Sequence, residues 1–340
     1  MMPELSSFLQ QGEEISSLLA QVADGKLVHA CLITGEKGVG KRTLARLLAA
    51  SVLCRAEGKR PCCICRDCMM VFQEEHPDLL VIQKGSPITP DGKKDRATIP
   101  VNDIREMIRI CNTHTLDGQA RVILLFDADK MTLQAQNCLL KTLEDPPENT
   151  YIILVTEHPD ILLTTVISRT RPVHLHAWPD NYVRGILDSR HVTAERATAA
   201  VLAARGSIGS ALQLASDEEY WKMRDEVIRD FFGTNSRSEI IRVSNAWKDR
   251  RADSDRILEM MESILHHMLE VRFNHQGIKQ IGNLPAPWQR FAMEADPERF
   301  VSLSDAFSAS RRQIQYNVNF QAVLEQLLFI LMGEGNQWLA

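Results

Sequence analysis

Val28-His-Ala-Cys-Leu-Ile-Thr-Gly-Glu-Lys-Gly-Val-Gly-Lys-Arg-Thr43 is the stretch that decides the fold. It reads as a strand, a glycine-rich turn and the start of a helix, the order of the phosphate-binding P-loop G-x-x-x-x-G-K-[ST]. Gly35, Gly40 and Lys41 stand at the template positions, with Gly38 inside the loop. Such glycines let backbone N–H groups approach a phosphate, and the lysine brings a countercharge. The next position should carry the hydroxyl that ligates Mg²⁺, and it holds Arg42. Thr43 has a hydroxyl, but one residue on it projects about 100° further round the helix. Whether this loop holds nucleotide is left open by these residues.

Outward from the loop, the first 172 residues alternate strands and helices. Apolar strand candidates are Ala30–Thr34, Leu79–Ile82, Val122–Phe126, Ile152–Thr156 and Val173–Leu175, and the helical stretches Lys41–Leu53, Val101–Cys111 and Thr132–Leu143 fall between them. This alternation predicts an α/β fold with a parallel, doubly wound sheet. Ligands of such sheets bind at the carboxyl ends of strands, so the P-loop and the segment after Val122–Phe126 can share one site. Lys84–Thr98 is polar and reads as a surface excursion. Beyond Trp178 the strand pattern stops. Asn181–Ser189 and Ala194–Ala204 read as short helices of a small domain spanning 173–215. Residues 216–340 repeat apolar positions at three- and four-residue spacing, as in Ile257, Met260, Met261, Ile264, Leu265 and Met268, the pattern of a helical bundle core. Phe320–Met332 adds a last apolar helix.

A net charge of -5 excludes a chain that coats nucleic acid over its whole surface. No run of about 18 apolar residues occurs, so no membrane span is expected. Met1–Gly12 carries Glu4 and lacks a charged-then-apolar signal pattern, which points to the cytosol. In that reducing compartment the 8 cysteines are expected as thiols or metal ligands rather than disulfides.

Five cysteines crowd into Cys54–Cys68. Cys62, Cys65 and Cys68 form C-x₂-C-x₂-C, and Cys54 precedes them. Four thiolates suit a closed tetrahedral Zn²⁺ site, which organises a short segment that has little core of its own. Cys54, Cys62, Cys65 and Cys68 are the expected ligands of a structural zinc; Cys63 can replace Cys62 at the cost of a tighter step to Cys65. The alternatives are a set of buried free thiols or a redox pair.

The acidic partner of the P-loop is expected at Asp127, after Val122–Phe126, with a plain turn residue before the Thr132 helix cap as the alternative. In working ATPases of this architecture the carboxylate there helps hold Mg²⁺, and the following glutamate orients the attacking water. Here that following residue is Ala128, which can neither hold water nor accept a proton. Ser168-Arg169-Thr170-Arg171-Pro172 closes the α/β region; it reads either as a solvated loop or as an arginine finger aimed at a neighbour's phosphates.

Together these residues resemble the AAA+ clamp-loader family of bacterial DNA polymerase III. The resemblance is carried by the cysteine insertion after the P-loop helix, Leu139-Leu-Lys-Thr-Leu-Glu-Asp-Pro-Pro147, Leu154-Val-Thr156 and Ser168-Arg169, over about residues 20–215. It implies an AAA+ domain with a zinc module at 54–68, then a small helical lid and a helical collar. Within the family, the tau/gamma type is the ATPase motor and the delta-prime type is its stationary partner. The motor has a hydroxyl residue at position 42, an acidic residue at 128 and a sensing arginine at 209, where this chain has Arg42, Ala128 and Gly209. Three losses resemble the delta-prime type. That implies no intrinsic ATPase, and Arg169, flanked by Ser168, offered to an adjacent motor subunit. The implied setting is a bacterial cytoplasmic clamp loader, part of a DNA-directed DNA polymerase (nucleotidyltransferase) holoenzyme. Its other parts are tau/gamma-type ATPase subunits and a delta subunit, and it loads a sliding clamp on primed DNA. Two alternatives stand beside it. One is an active ATPase of tau/gamma type, in which Thr43 or water covers the missing ligand. The other is a zinc-dependent nucleic-acid module around Lys59, Arg60 and Arg66.

Overall fold

The computed structural model describes residues 4–86, 88, 97–113, 115, 120–274 and 284–336. Most of the expected Lys84–Thr98 excursion lies outside the described residues. The chain divides into two compact units, Met1–Trp178 and Pro179–Ala340.

The first unit is built on five strands: β1 (Ala30–Gly35), β2 (Leu79–Ile82), β3 (Arg121–Leu125), β4 (Thr150–Val155) and β5 (Arg171–Leu175). All pairings are parallel, in the order β2-β3-β4-β1-β5. Every residue of β1 and β3 is buried, as strands covered on both faces must be. The helices of this unit are α1 (Glu13–Ala23), α2 (Lys41–Leu53), α3 (Arg66–Gln73), α4 (Val101–Cys111), α5 (Leu133–Glu144) and the short α6 (Thr164–Ile167). Leu32, Ile123, Leu125, Ile152 and Leu154 join Ile104 and Met107 of α4 and Leu139 and Leu143 of α5 in one core. The alternate strand residues point the other way, where α2 packs on β1, β3 and β4. The sheet is therefore parallel and doubly wound, as the alternation predicts. β1 runs into the P-loop and α2, and β3 runs into Phe126 and Asp127, so both deliver side chains to the same carboxyl edge. The expected border at 172 falls inside β5, whose ladder with β1 from Cys31↔Arg171 to Gly35↔Leu175 keeps that strand in the first unit.

The second unit contains α7 (Asp180–Ser189), α8 (Ala194–Ala204), α9 (Ile208–Ser216), α10 (Glu218–Val227), α11 (Arg237–Trp247), α12 (Ser254–Asn274), α13 (Ala286–Glu294), α14 (Pro297–Gln315) and α15 (Phe320–Asn336). Serine and aspartate caps start two of them: Ser207 accepts from the Ser210 N–H and Asp217 from the Tyr220 N–H. The apolar stripe of α12 supplies Ile257, Met260, Met261, Ile264, Leu265 and Met268 to a core shared with Phe231, Trp288, Phe291 and Phe307. Ala199 of α8 and Leu214 of α9 join the same core, so residues on either side of position 215 pack together. No described helix is long and apolar enough to cross a membrane.

Candidate functional site

The P-loop connects β1 to α2. Gly35, Gly38 and Gly40 take positive φ of 141°, 79° and 102°. Gly35 is irreplaceable on contact grounds as well, because a Cβ there would lie 2.4 Å from the Leu175 carbonyl oxygen on the neighbouring strand. Lys41 opens α2 and is buried; its Nζ donates to the Glu36 carbonyl at 2.5 Å and lies 3.3 Å from Glu157 Oε1. Burial lowers its pKa, and Glu157 works against that shift. Trp178 donates from Nε1 to the Val39 carbonyl at 2.8 Å, and Phe8 packs edge-on against the Trp178 ring. These two rings brace the loop.

Asp127 follows β3 with a positive φ of 52°. Its carboxylate faces Arg42: Nη2 is 3.0 Å from both oxygens. Arg42 also donates from Nη1 to Gln83 Oε1 at 3.1 Å, and its guanidinium lies 4.7 Å from the centroid of the Phe126 ring. The structure thus brings Lys41 and Asp127 to one edge, as expected, and sets the Arg42 guanidinium on the carboxylate. Ala128 is fully buried. Asp129 is turned to Thr156, whose hydroxyl donates to it at 2.7 Å, and to Lys130 at 2.9 Å. These bonds hold its carboxylate in the ionised form against the opposing effect of burial. In the second unit, Gly209 is the second residue of α9 and is exposed. Sequence reasoning missed Gln83, Phe126 and Glu157. The one available signal was a cation, Arg42, standing where a cation's ligand belongs.

Ser168 caps the short α6 and donates to the Thr165 carbonyl at 3.2 Å. Arg169 follows and is tied to Glu144, at the end of α5, with Nε to Oε1 at 2.7 Å. Arg171 points elsewhere, with Nη2 to Ser17 Oγ at 3.1 Å and a second contact to Gln21.

The expected cysteine set is gathered. The Sγ atoms of Cys54, Cys62, Cys65 and Cys68 all lie within 4.8 Å of one another, and the Cys54–Cys65 and Cys62–Cys68 separations are both 3.9 Å. Metal–sulfur bonds of about 2.3 Å in a tetrahedron place thiolates about 3.8 Å apart, so these side chains fit a metal ion. The spacing is far beyond a sulfur–sulfur bond. Local backbone explains the gathering. Cys54 is the C-cap of α2, Cys65 is the N-cap of α3, and Cys68 lies on the first turn of α3. N–H groups point at the sulfurs: Cys65 N to Cys62 Sγ at 3.3 Å, and Cys68 N to Cys65 Sγ at 3.4 Å. Bonds from the Ile64 and Cys65 amides pull the Cys62 thiol down to about 6. Cys63 takes a positive φ of 59° and turns its Sγ toward the Pro61 carbonyl, outside the cluster. The choice left open between Cys62 and Cys63 thus falls to Cys62 on geometry.

With this geometry in hand, the chain can be set beside known proteins. Residues 10–179 match the family described as DNA polymerase III, delta subunit. The chain is 26% identical over 320 residues to the DNA polymerase III subunit delta' of Bacillus subtilis (strain 168), covering 92% of this chain and 94% of that protein. It is 28% identical over 322 residues to the delta' subunit of Escherichia coli (strain K12), covering 93% and 92%. The DNA polymerase III subunit tau of Escherichia coli (strain K12) is 31% identical over 211 residues, but these cover only 60% of this chain and 31% of tau. The chain belongs to the delta-prime family of DNA polymerase III subunits.

Proposed function

We propose that, as a member of this family, the chain is the stationary subunit of a bacterial clamp loader and supplies Arg169 to the ATP site of a neighbouring tau/gamma-type motor. The observation that carries the reading is the pairing of Arg42 with Asp127 beside Ala128: the chain's own site lacks the metal-binding and water-orienting parts of a motor, while Arg169 stays partly exposed on the turn before β5. A guanidinium brought to a neighbour's γ-phosphate offsets charge that develops during phosphoryl transfer. Coverage of the delta-prime relatives along nearly their whole length, against a third of tau, supports this over the motor alternative.

The remaining parts of the reading follow from it. The first unit acts as the AAA+ domain, and the helices of the second unit act as the lid and then the collar that joins tau/gamma-type and delta subunits. Through that complex the chain serves loading of a sliding clamp on primed DNA in the bacterial cytoplasm. Cys54, Cys62, Cys65 and Cys68 would hold one structural zinc, whose chemistry is a closed four-thiolate cross-link with no position for substrate. Their separations support that role.

The test is reconstitution with a tau/gamma-type ATPase, a delta subunit, clamp and primed DNA. The full complex should hydrolyse ATP, and Arg169→Ala should assemble equally while hydrolysis and clamp loading fall. Fingers of this kind contribute about 10³- to 10⁵-fold at a single site. The loss in the whole assembly is expected to be smaller, since one of several sites borrows this arginine. Equal rates for wild type and Arg169→Ala would overturn the finger role. Turnover by the isolated chain that Lys41→Ala abolishes would restore the motor reading.

A further inference from the structure

In a metal-dependent P-loop, the hydroxyl at the helix start and the acidic strand end share one Mg²⁺, which also touches the β- and γ-phosphates. In this chain a guanidinium stands between those two positions. Arg42 reaches both oxygens of Asp127 at 3.0 Å, reaches Gln83 Oε1 at 3.1 Å and lies 4.7 Å from the centre of the Phe126 ring. A divalent ion at Asp127 would have to displace this tethered cation or sit beside it, and Asp127 has one charge to offer both. Mg²⁺ does not fit. The rest of the cradle is intact. Gly35, Gly38 and Gly40 keep the loop's positive φ, and Lys41 Nζ is held against the loop at the Glu36 carbonyl. Among the described residues, no protein acceptor takes the N–H groups of Lys37–Gly40.

We propose that Arg42 is a built-in substitute for the divalent cation, so that this P-loop takes the polyphosphate of a nucleotide without Mg²⁺. Arginine has five N–H donors, is charged at every physiological pH and binds phosphate oxygens in a fork. Its contacts to Asp127 and Gln83 leave donors for a phosphate, and those same contacts hold the plane in place. A fixed guanidinium supplies countercharge, but it cannot polarise a γ-phosphate and carry the water and leaving-group oxygens as a metal ion does. Nucleotide would be held and not turned over. The inference rests on the stator reading in that it gives the degenerate site a ligand, whereas assembly and the Arg169 finger do not depend on it.

The experiment is calorimetric titration of the full-length chain with ADP and with ATP, once in EDTA and once in excess Mg²⁺. The wild type should bind with the same affinity, within about twofold, in both buffers. Arg42→Thr should lose about tenfold or more in EDTA, the scale of a lost charge-assisted contact, and recover part of it when Mg²⁺ is added. Arg42→Lys keeps the charge without the fork and should fall between them in EDTA. Far-UV circular dichroism of each variant checks folding. No binding by folded wild type in either buffer, or a tenfold gain with Mg²⁺, would overturn the proposal. Co-assembly with the ATPase subunit on the same preparation separates the two readings: a chain that assembles but binds no nucleotide loses only this inference, and one that binds but does not assemble loses only the stator role.

Discussion

Arg169 is bound to Glu144: Nε donates to Oε1 at 2.7 Å, while Nη1 donates to the Thr165 carbonyl at 3.0 Å. Glu144 belongs to the Leu139–Pro147 run and Arg169 to the loop before β5, so two family-bearing segments meet in one ion pair. The pair is partly exposed, and such pairs contribute about 0–1 kcal/mol. Glu144→Ala and Arg169→Ala should therefore each leave the melting temperature of the isolated chain almost unchanged. In the assembled loader they should differ. Arg169→Ala should lower ATP hydrolysis, and Glu144→Ala should lower it less, because the guanidinium remains. Parallel melting curves and steady-state ATPase rates measure both halves.

Metal content gives a second check. Purified chain should carry about one zinc, as four gathered thiolates allow. Cys65→Ser should abolish it and lower the thermal midpoint of the first unit, because Cys65 both caps α3 and offers its sulfur to the cluster. Cys63→Ser should keep the zinc, since its sulfur turns to the Pro61 carbonyl. Elemental analysis of both variants decides between them.

His267 sets a pH dependence. Its ring is buried, and among the described residues neither nitrogen has a partner. Burial first, then the Arg224, Arg184 and His266 charges, lower it from 6.5 to about 4. The folded state therefore binds the proton more weakly than the unfolded chain. The neutral ring's contribution is fully present above about pH 6.5 and is lost as pH falls toward 4, up to about 3 kcal/mol. Urea denaturation at pH 7.5 and pH 5 should show the second unit weaker at the lower pH. His267→Leu should flatten that difference.

Gly35→Ala tests the strand end that launches the P-loop. The added Cβ would lie 2.4 Å from a backbone oxygen of β5, at a φ of 141° that alanine disfavours. A loss of about 3 kcal/mol is expected from strain and the forced shift together. Denaturation of the variant, with Gly25→Ala as the comparison in open space, measures it.

Local pattern carried most of the fold. Leu79–Ile82, Lys41–Leu53, Val101–Cys111 and Ala194–Ala204 are read from sequence with the limits that the structure has. Strand ends drifted by a residue or two elsewhere, as at β4, which starts at Thr150 rather than Ile152 because hydrogen bonding outlasts the apolar run. The cysteine cluster was legible because its spacing is short-range chemistry. The contacts that set the nucleotide site were not. Arg42 meets Asp127 across 85 positions and Lys41 meets Glu157 across 116, and only the strand order brings such residues together. Arg42 was legible as a missing hydroxyl; that it fills the gap it leaves required the fold.

Helix α2 is 13 residues, about 20 Å long. At its first turn Arg42 grips the end of β3; at its last, Cys54 enters the thiol cluster, and Cys68 reaches back to the Ala50 carbonyl. It is a beam propped at both supports. A beam held at one end swings when the load changes, whereas one held at both passes the load on. On the stator proposal, α2 anchored at both ends and β1 paired to β5 are the frame on which the loop bearing Arg169 would be mounted while neighbouring subunits turn over.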